Sequence, residues 1–395
     1  MINISEVVII DGVRTAIGSF GGALASLSPS QLGTAVAREV IKRSGVSAAD
    51  IDHAVFGHII TTAAEDAYLA RHIALNSGMP VTSAAFNVNR LCGSAVQSVI
   101  SAAQLIQLGQ STIALAGGAE SMSNGAYILP QVRRGLRFGH AAITDLTLGI
   151  LTDPFGSGHM GLTAENIAAQ YNYSREELDR FALQSQQRAA FAQQQGYFDK
   201  QIVPITVSAR GKEAVFNRDE HIRADTTLES LAKLKPVFKA DGIVTAGNAS
   251  GLNDGAAALI LTSKQEADKR GVKARARILG YAFAGVKPGE MGLGPIPAVQ
   301  RVLAQSGLSV ADLDVIESNE AFASQALAVS QSLGFDNSKV NPNGGAIALG
   351  HPVGATGSIL LVKLLAELDR CNGRYGLVTM CIGGGQGIAL LIEAL

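Results

Sequence analysis

One pattern in this chain occurs twice and restricts its fold more than any other feature. Residues 40–52 read VIKRSGVSAADID and residues 302–314 read VLAQSGLSVADLD. In each copy an amphipathic helical stretch stops at a glycine, a turn follows, and an apolar strand begins, at 54–56 and at 315–316. The sequence downstream repeats the same succession. The first copy leads to VNRLCGS (88–94), then a helix with Val96, Val99, Ile100, Ala103 and Ile106 on one face and Gly109 at its end, then the strand TIALAGG (112–118). The second leads to VNPNGGAIALGHPVGATG (340–357), then a helix with Ile359, Leu360, Val362, Leu364, Leu365 and Leu368, then the strand GLVTMCIGGG (376–385). A chain that contains itself twice is confined to a duplicated architecture.

The second half closes with a strand over 388–392, directly across GGGQG. Its counterpart in the first half is AAALILT (256–262), separated from Gly118 by a long stretch richer in Gln, Arg and aromatics. Insertions of this kind are best tolerated at a hairpin tip. That stretch holds a helix over 174–195, with Ser174 as N-cap and Glu177 completing a capping box. The fold class expected is α/β: two similar layered halves with mixed sheets plus an inserted cap. The N-terminal half is 1–119 with 253–274, the cap or loop domain 120–252, and the C-terminal half 275–395.

Hydrophobic residues make up 47% of the chain and charged residues only 16%. So dry a surface points to burial against other subunits. A net charge of -1 leaves no basic footprint for nucleic acid, and no apolar run reaches the roughly 18 residues of a membrane span. The N-terminal MINISEVVIIDGVRTAIG lacks signal-peptide features and reads as a strand over 7–10, and the C-terminal LLIEAL is no peroxisomal address. Cys92, Cys371 and Cys381, without C-x-x-C spacing, argue against disulfides or structural zinc and fit a reducing cytoplasm.

The duplication brings chemistry onto equivalent loops. Cys92 lies on the first half's loop; His351 and Cys381 lie on the second half's. A free cysteine is commonly a small core residue, but Cys92 sits before a helix among small residues, where the helix dipole favours a nucleophilic thiolate. His351 stands among Gly344, Gly345, Gly350, Gly354 and Gly357, which admit a close approach, and Pro352 restricts its backbone. Cys381 ends a strand before a tight turn, and Cys371 reads as structural in a helix-to-strand loop. Asn319 and Glu320, at a strand end, are either turn formers or groups that orient a water and a histidine. Two thiols and an imidazole point to acyl transfer through a covalent thioester. No metal-ligand spacing competes, and GGGQG lacks the Lys-Ser/Thr of a phosphate loop.

The chain resembles the thiolases of the acetyl-CoA acetyltransferase, or β-ketothiolase, type over essentially its whole length. The carriers are VNRLCGS, GGAESMS (117–123), GHMGLTAE (158–165), TAGNASGLNDGAAA (245–258), NEAFA (319–323), NPNGGAIALGHPVGATG and CIGGGQG (381–387). The resemblance implies a reversible, ping-pong Claisen condensation of acyl-CoA with acetyl-CoA, in fatty acid metabolism, with short chains favoured. By the same resemblance Cys92 is the nucleophile, His351 its base and Cys381 the second acid/base. Asn319 holds a water that forms an oxyanion site with His351, and the amides of Cys92 and Gly383 form another. It further implies Ser250 at the pantetheine arm, His159, Met160, Phe322 and Met291 around the acyl group, Leu151, Phe238 and Leu252 along CoA, and Arg223 at its phosphates. Acyl-CoA and CoA are the expected partners, in a homo-oligomer (tetramer or dimer), with no bound cofactor, metal, nucleic acid or membrane. A 3-ketoacyl synthase-like enzyme and a non-catalytic acyl-CoA binding protein are the alternatives. Two departures stand out: Ala95 where many relatives have Gly, and NGAY after Ser123 where an Arg-Ala-Pro run is common.

Overall fold

The computed structural model describes residues 5–136, 138–209 and 212–395. The first half runs β1 (Val7–Thr15), α1 (Pro29–Ser44), β2 (His53–Gly57), α2 (Leu69–Asn76), β3 (Ala84–Val88), α3 (Ser94–Gln107) and β4 (Ile113–Ser121). The segment 122–252 follows, carrying α4 (Met160–Gln170) and α5 (Arg175–Gln194), and the chain returns through β5 (Asn253–Ser263). The second half runs β6 (Ala276–Gly285), α6 (Pro295–Ser306), β7 (Val315–Ser318), α7 (Ala323–Leu333), α8 (Thr356–Cys371), β8 (Tyr375–Ile382) and β9 (Gln386–Ala394).

These strands form one sheet in the order β7-β8-β9-β6-β1-β5-β4-β2-β3, with the short strands Gly18–Ser19 and Ile202–Val203 added to β5 and β1. The halves meet at the antiparallel pairs Val8↔Arg277 and Ile9↔Ala276. Outward from this seam both halves repeat one pattern: two antiparallel neighbours, β5 and β4 or β9 and β8, then a parallel strand, β2 or β7. Where the first half adds β3 in parallel, the second has, among the described residues, the bridge Ile316↔Val340 alone. The two expected sheets are thus hydrogen-bonded into one. The long segment leaves and re-enters where Ser121 pairs with Asp254.

β1 continues to Thr15, past the stretch 7–10 expected from its apolar run, with an irregularity between Ile9 and Asp11. Its central place explains this, because a strand covered on both faces needs no alternation. At the middle of the molecule α3 and α8 pack side by side. A Cβ on Gly357 would run into Val96, and Ser358 Oγ donates to Ala95 O at 3.2 Å. Both helices therefore present their N-termini at the same place. Cys371 closes α8 rather than lying in the loop beyond it. The expected capping box at Ser174 and Glu177 forms. Among the described residues no helix is long and apolar enough to cross a membrane.

Buried polar ties hold the loops at this crossing. Arg14 binds Asp219 through two parallel bonds of 2.7 and 2.9 Å, fixing the inserted segment to β1. On α8, Lys363 Nζ donates to Glu317 Oε2 on β7 at 2.7 Å and to Gly344 O at 2.8 Å. Burial pushes Glu317 up to about 7 against the pull of this ammonium. Removing the lysine strands a buried carboxylate and frees the 344 loop. Lys363→Met is expected to cost about 3 kcal/mol of stability, with part regained in the Glu317→Gln/Lys363→Met double variant. An unshifted denaturation midpoint for the single variant would contradict this.

Candidate active site

The Cys92 loop is held by its own serine. Ser94 Oγ donates to Leu91 O at 2.6 Å and accepts from Arg90 N at 2.8 Å. Leu91 is thereby kept in the left-handed region at φ 46°, which a branched side chain rarely adopts. This kink turns β3 into α3 within a few residues and leaves Cys92 half-buried just before the helix. Ala95 is fully buried, its methyl packed where a side chain on Gly118 would stand.

His351 is held at both ring and backbone. Thr356 Oγ1 donates to Pro352 O at 2.9 Å, so toward His351 Nδ1, at 2.7 Å, it acts as acceptor. That places the ring proton on Nδ1 and leaves Nε2 with its lone pair, able to take a proton. Asn319 Nδ2 lies 3.4 Å from Nε2, and Asn319 Oδ1 is buried without a hydrogen-bond partner among the described residues. The His351 N–H donates to Asn253 Oδ1 at 2.9 Å, and Asn253 Nδ2 donates to Gly18 O at 3.0 Å. The base is thus anchored by a residue of the other half. Glu320 does not reach the histidine. It accepts from Ser185, Asn341 and Ile347 N, and so pins the 341–347 loop to α5.

Cys381 is buried at the end of β8, and the following turn has Gly384 and Gly385 at φ 78° and 83°. The Gly383 and Cys92 N–H groups act on the Cys92 sulfur. A cavity of about 610 Å³ is lined by Cys92, His351, Cys381 and Gly383. Its walls also include Ser250, His159, Met160, Phe322, Met291, Leu151, Phe238, Leu252 and Arg223, so every substrate contact expected from the sequence faces one space. Asn319 sits behind His351, outside the lining. His159 also caps α4, accepting from Gly161 N at 3.1 Å, and stacks on Phe238 at 4.7 Å. Sequence reasoning did not single out Phe20, His221 and Val237, which also line the cavity, or Thr356 and Asn253, which orient His351. Asn253 lies inside a quoted motif, but its target is remote in sequence.

Residues 7–265 match the thiolase N-terminal domain and residues 272–394 the thiolase C-terminal domain. The chain belongs to the thiolase family. It is 53% identical to the beta-ketothiolase BktB of Cupriavidus necator, over 98% of this chain and 99% of that protein. The crystal structure of the Bacillus anthracis acetyl-CoA acetyltransferase superimposes with a TM-score of 0.98 at 48% identity, covering 100% of both chains. Human mitochondrial 3-ketoacyl-CoA thiolase in complex with CoA gives 0.96 at 43% identity, covering 99% of this chain and 98% of that one. As a thiolase this chain is an acyltransferase.

The electrostatics of this thiolase's site are set by burial. Loss of solvent pushes the Cys92 thiol up to about 11, although the Gly383 and Cys92 amides pull it down. Loss of solvent also lowers His351 to about 4. Cys381 is driven well above the ordinary thiol range by burial and by the neighbouring Cys92. The helix N-terminus therefore does not produce a resting thiolate: at neutral pH the site holds two thiols and a neutral imidazole. Alkylation of Cys92 by iodoacetamide in the ligand-free enzyme should keep rising with pH toward about 11, measured on the Cys92 peptide. A plateau reached by about pH 8, as for activated thiols, would contradict this. His351 stays unprotonated well below its ordinary 6.5, so the acid limb of kcat/KM should lie at about pH 4.

Proposed function

We propose that this thiolase catalyses the reversible condensation of a short-chain acyl-CoA with acetyl-CoA to 3-ketoacyl-CoA and CoA, by a ping-pong mechanism through an acyl-Cys92 intermediate. The observation that carries the reading is the meeting of Cys92 from one half with His351 and Cys381 from the other on a single cavity. His351 Nε2 takes the Cys92 proton as sulfur attacks the thioester carbonyl. The negative oxygen is met by the Cys92 and Gly383 N–H groups, donors worth about 3 kcal/mol each in a transition state. Cys381, a thiol at rest, protonates the departing CoA thiolate. The desolvated thiolate left on Cys381 is a strong base and takes the α-proton of acetyl-CoA. The resulting enolate, held by His351 and an Asn319-bound water, attacks the acyl-cysteine. The unpaired Asn319 Oδ1 supports that water.

Met160, Met291 and Phe322 form a buried apolar cluster with Cys381, suited to a short acyl chain; His159 adds its ring beside Phe238. Ser250, Leu151, Phe238 and Leu252 take the pantetheine arm and Arg223 the phosphates, with no bound cofactor required. The segment 120–252 serves as the cap between halves 1–119 with 253–274 and 275–395. The relatives, a beta-ketothiolase and an acetyl-CoA acetyltransferase, support this substrate class. The assembly in this reading is a cytoplasmic homo-oligomer, tetramer or dimer. The exposed apolar residues Tyr127, Leu129, Val132 and Phe138 support such contacts.

Cys92→Ala should lose acyl transfer by at least about a thousandfold, and mass spectrometry should trap an acylated Cys92 peptide in the parent enzyme. Cys381→Ser should still acylate Cys92 but condense far more slowly. Normal turnover in Cys92→Ala, or an obligatory malonyl donor, would overturn the reading.

A further inference from the structure

A charged cluster lies directly behind the nucleophile and has no part in the proton transfers above. Glu120 is the penultimate residue of β4 and is fully buried. Its carboxylate accepts from Ile59 N and Ile60 N, both at 3.2 Å, and faces His58 Nδ1 at 3.0 Å. On the far side of the imidazole, His58 Nε2 is 3.6 Å from Asp66 Oδ2, which Thr62 and Ala63 hold through their backbone N–H groups. Ile59 and Ile60 pack in the apolar cluster that includes Cys92 and Val353. The carboxylate also bears on the second half: a Cβ on Gly354 would strike Glu120 Oε2. Gly354 lies between His351 and the Thr356 that orients it.

We propose that Glu120, held by His58 and two loop amides, is a positioning residue for acyl transfer: it locks the Cys92 and His351 loops in one register. Burial lowers His58, but Glu120 and Asp66 together outweigh it and raise it to about 10, so the imidazole stays cationic between the two carboxyl groups. Gly354 must be small for the loops to close on the carboxylate.

The proposal rests on Cys92 as the acylated residue. Trapping the acyl-Cys92 peptide in the parent enzyme tests that basis separately. Glu120→Gln keeps the shape and gives up one of the two carboxylate oxygens that hold Ile59 N and Ile60 N. Its kcat for thiolysis should drop about tenfold or more with little change in KM. Glu120→Asp keeps the carboxylate but draws it back from the two amides and from Gly354, and kcat should fall there as well. An unchanged kcat in Glu120→Gln, or a loss that appears in KM alone, overturns the proposal. Should that variant fail to fold, parent-level kcat in Glu120→Asp overturns it instead.

Discussion

The site depends on a steric constraint at the crossing of the two halves. The carbonyl of Gly354, from the second half, lies where a side chain on either Gly57 or Gly118 of the first half would have to stand. Ala95 fills the remaining space beside them. No Cβ fits at these glycines without driving the loops apart. Because interiors are close-packed and yield little, the distance between the Cys92 loop and the His351 loop is set by backbone contact rather than by adjustable side chains. Catalysis that needs a thiol and an imidazole in fixed relation is well served by such a contact.

Around this contact the polar groups divide the work. Asn253, Thr356 and Asn319 fix the imidazole's place and tautomer; Glu320, Lys363 and Glu317 fix the loop that leads to it. The inserted segment joins in through Ser185 and Asp219, so the cap and the halves share buried hydrogen bonds. The price of so dry a site is a nucleophile that is not ionised at rest. It is acceptable because the imidazole is also neutral and can take the proton when the carbonyl arrives.

Much of this was legible in the sequence, and particular residues show why. The repeat at 40–52 and 302–314 marks equivalent helix, turn and strand positions, and hydrophobic periodicity found the buried faces of α3 and α8. The departure at Ala95, puzzling in sequence, is explained by the small residues stacked on it. Other expectations changed. β1 ran on to Thr15 because a central strand is buried on both faces. Glu320 turned away from the histidine because Ser185 and Asn341 satisfy it first. The dipole argument for a Cys92 thiolate gave way because desolvation outweighs a pair of amides.

By itself the sequence determined the duplicated order of helices and strands, the long segment between β4 and β5, and the two thiols and imidazole on equivalent loops. These follow from local pattern and repetition, which need no knowledge of distant contacts. Tertiary structure alone decided that the two sheets join through β1 and β6, that Asn253 and Thr356 aim His351, and that Glu120 stands buried behind Cys92. Each of these joins groups that no local pattern relates, or depends on how deeply an atom is removed from water. Register, hydrogen-bond partners and burial are properties of the packed chain, and they set the protonation states on which the chemistry runs.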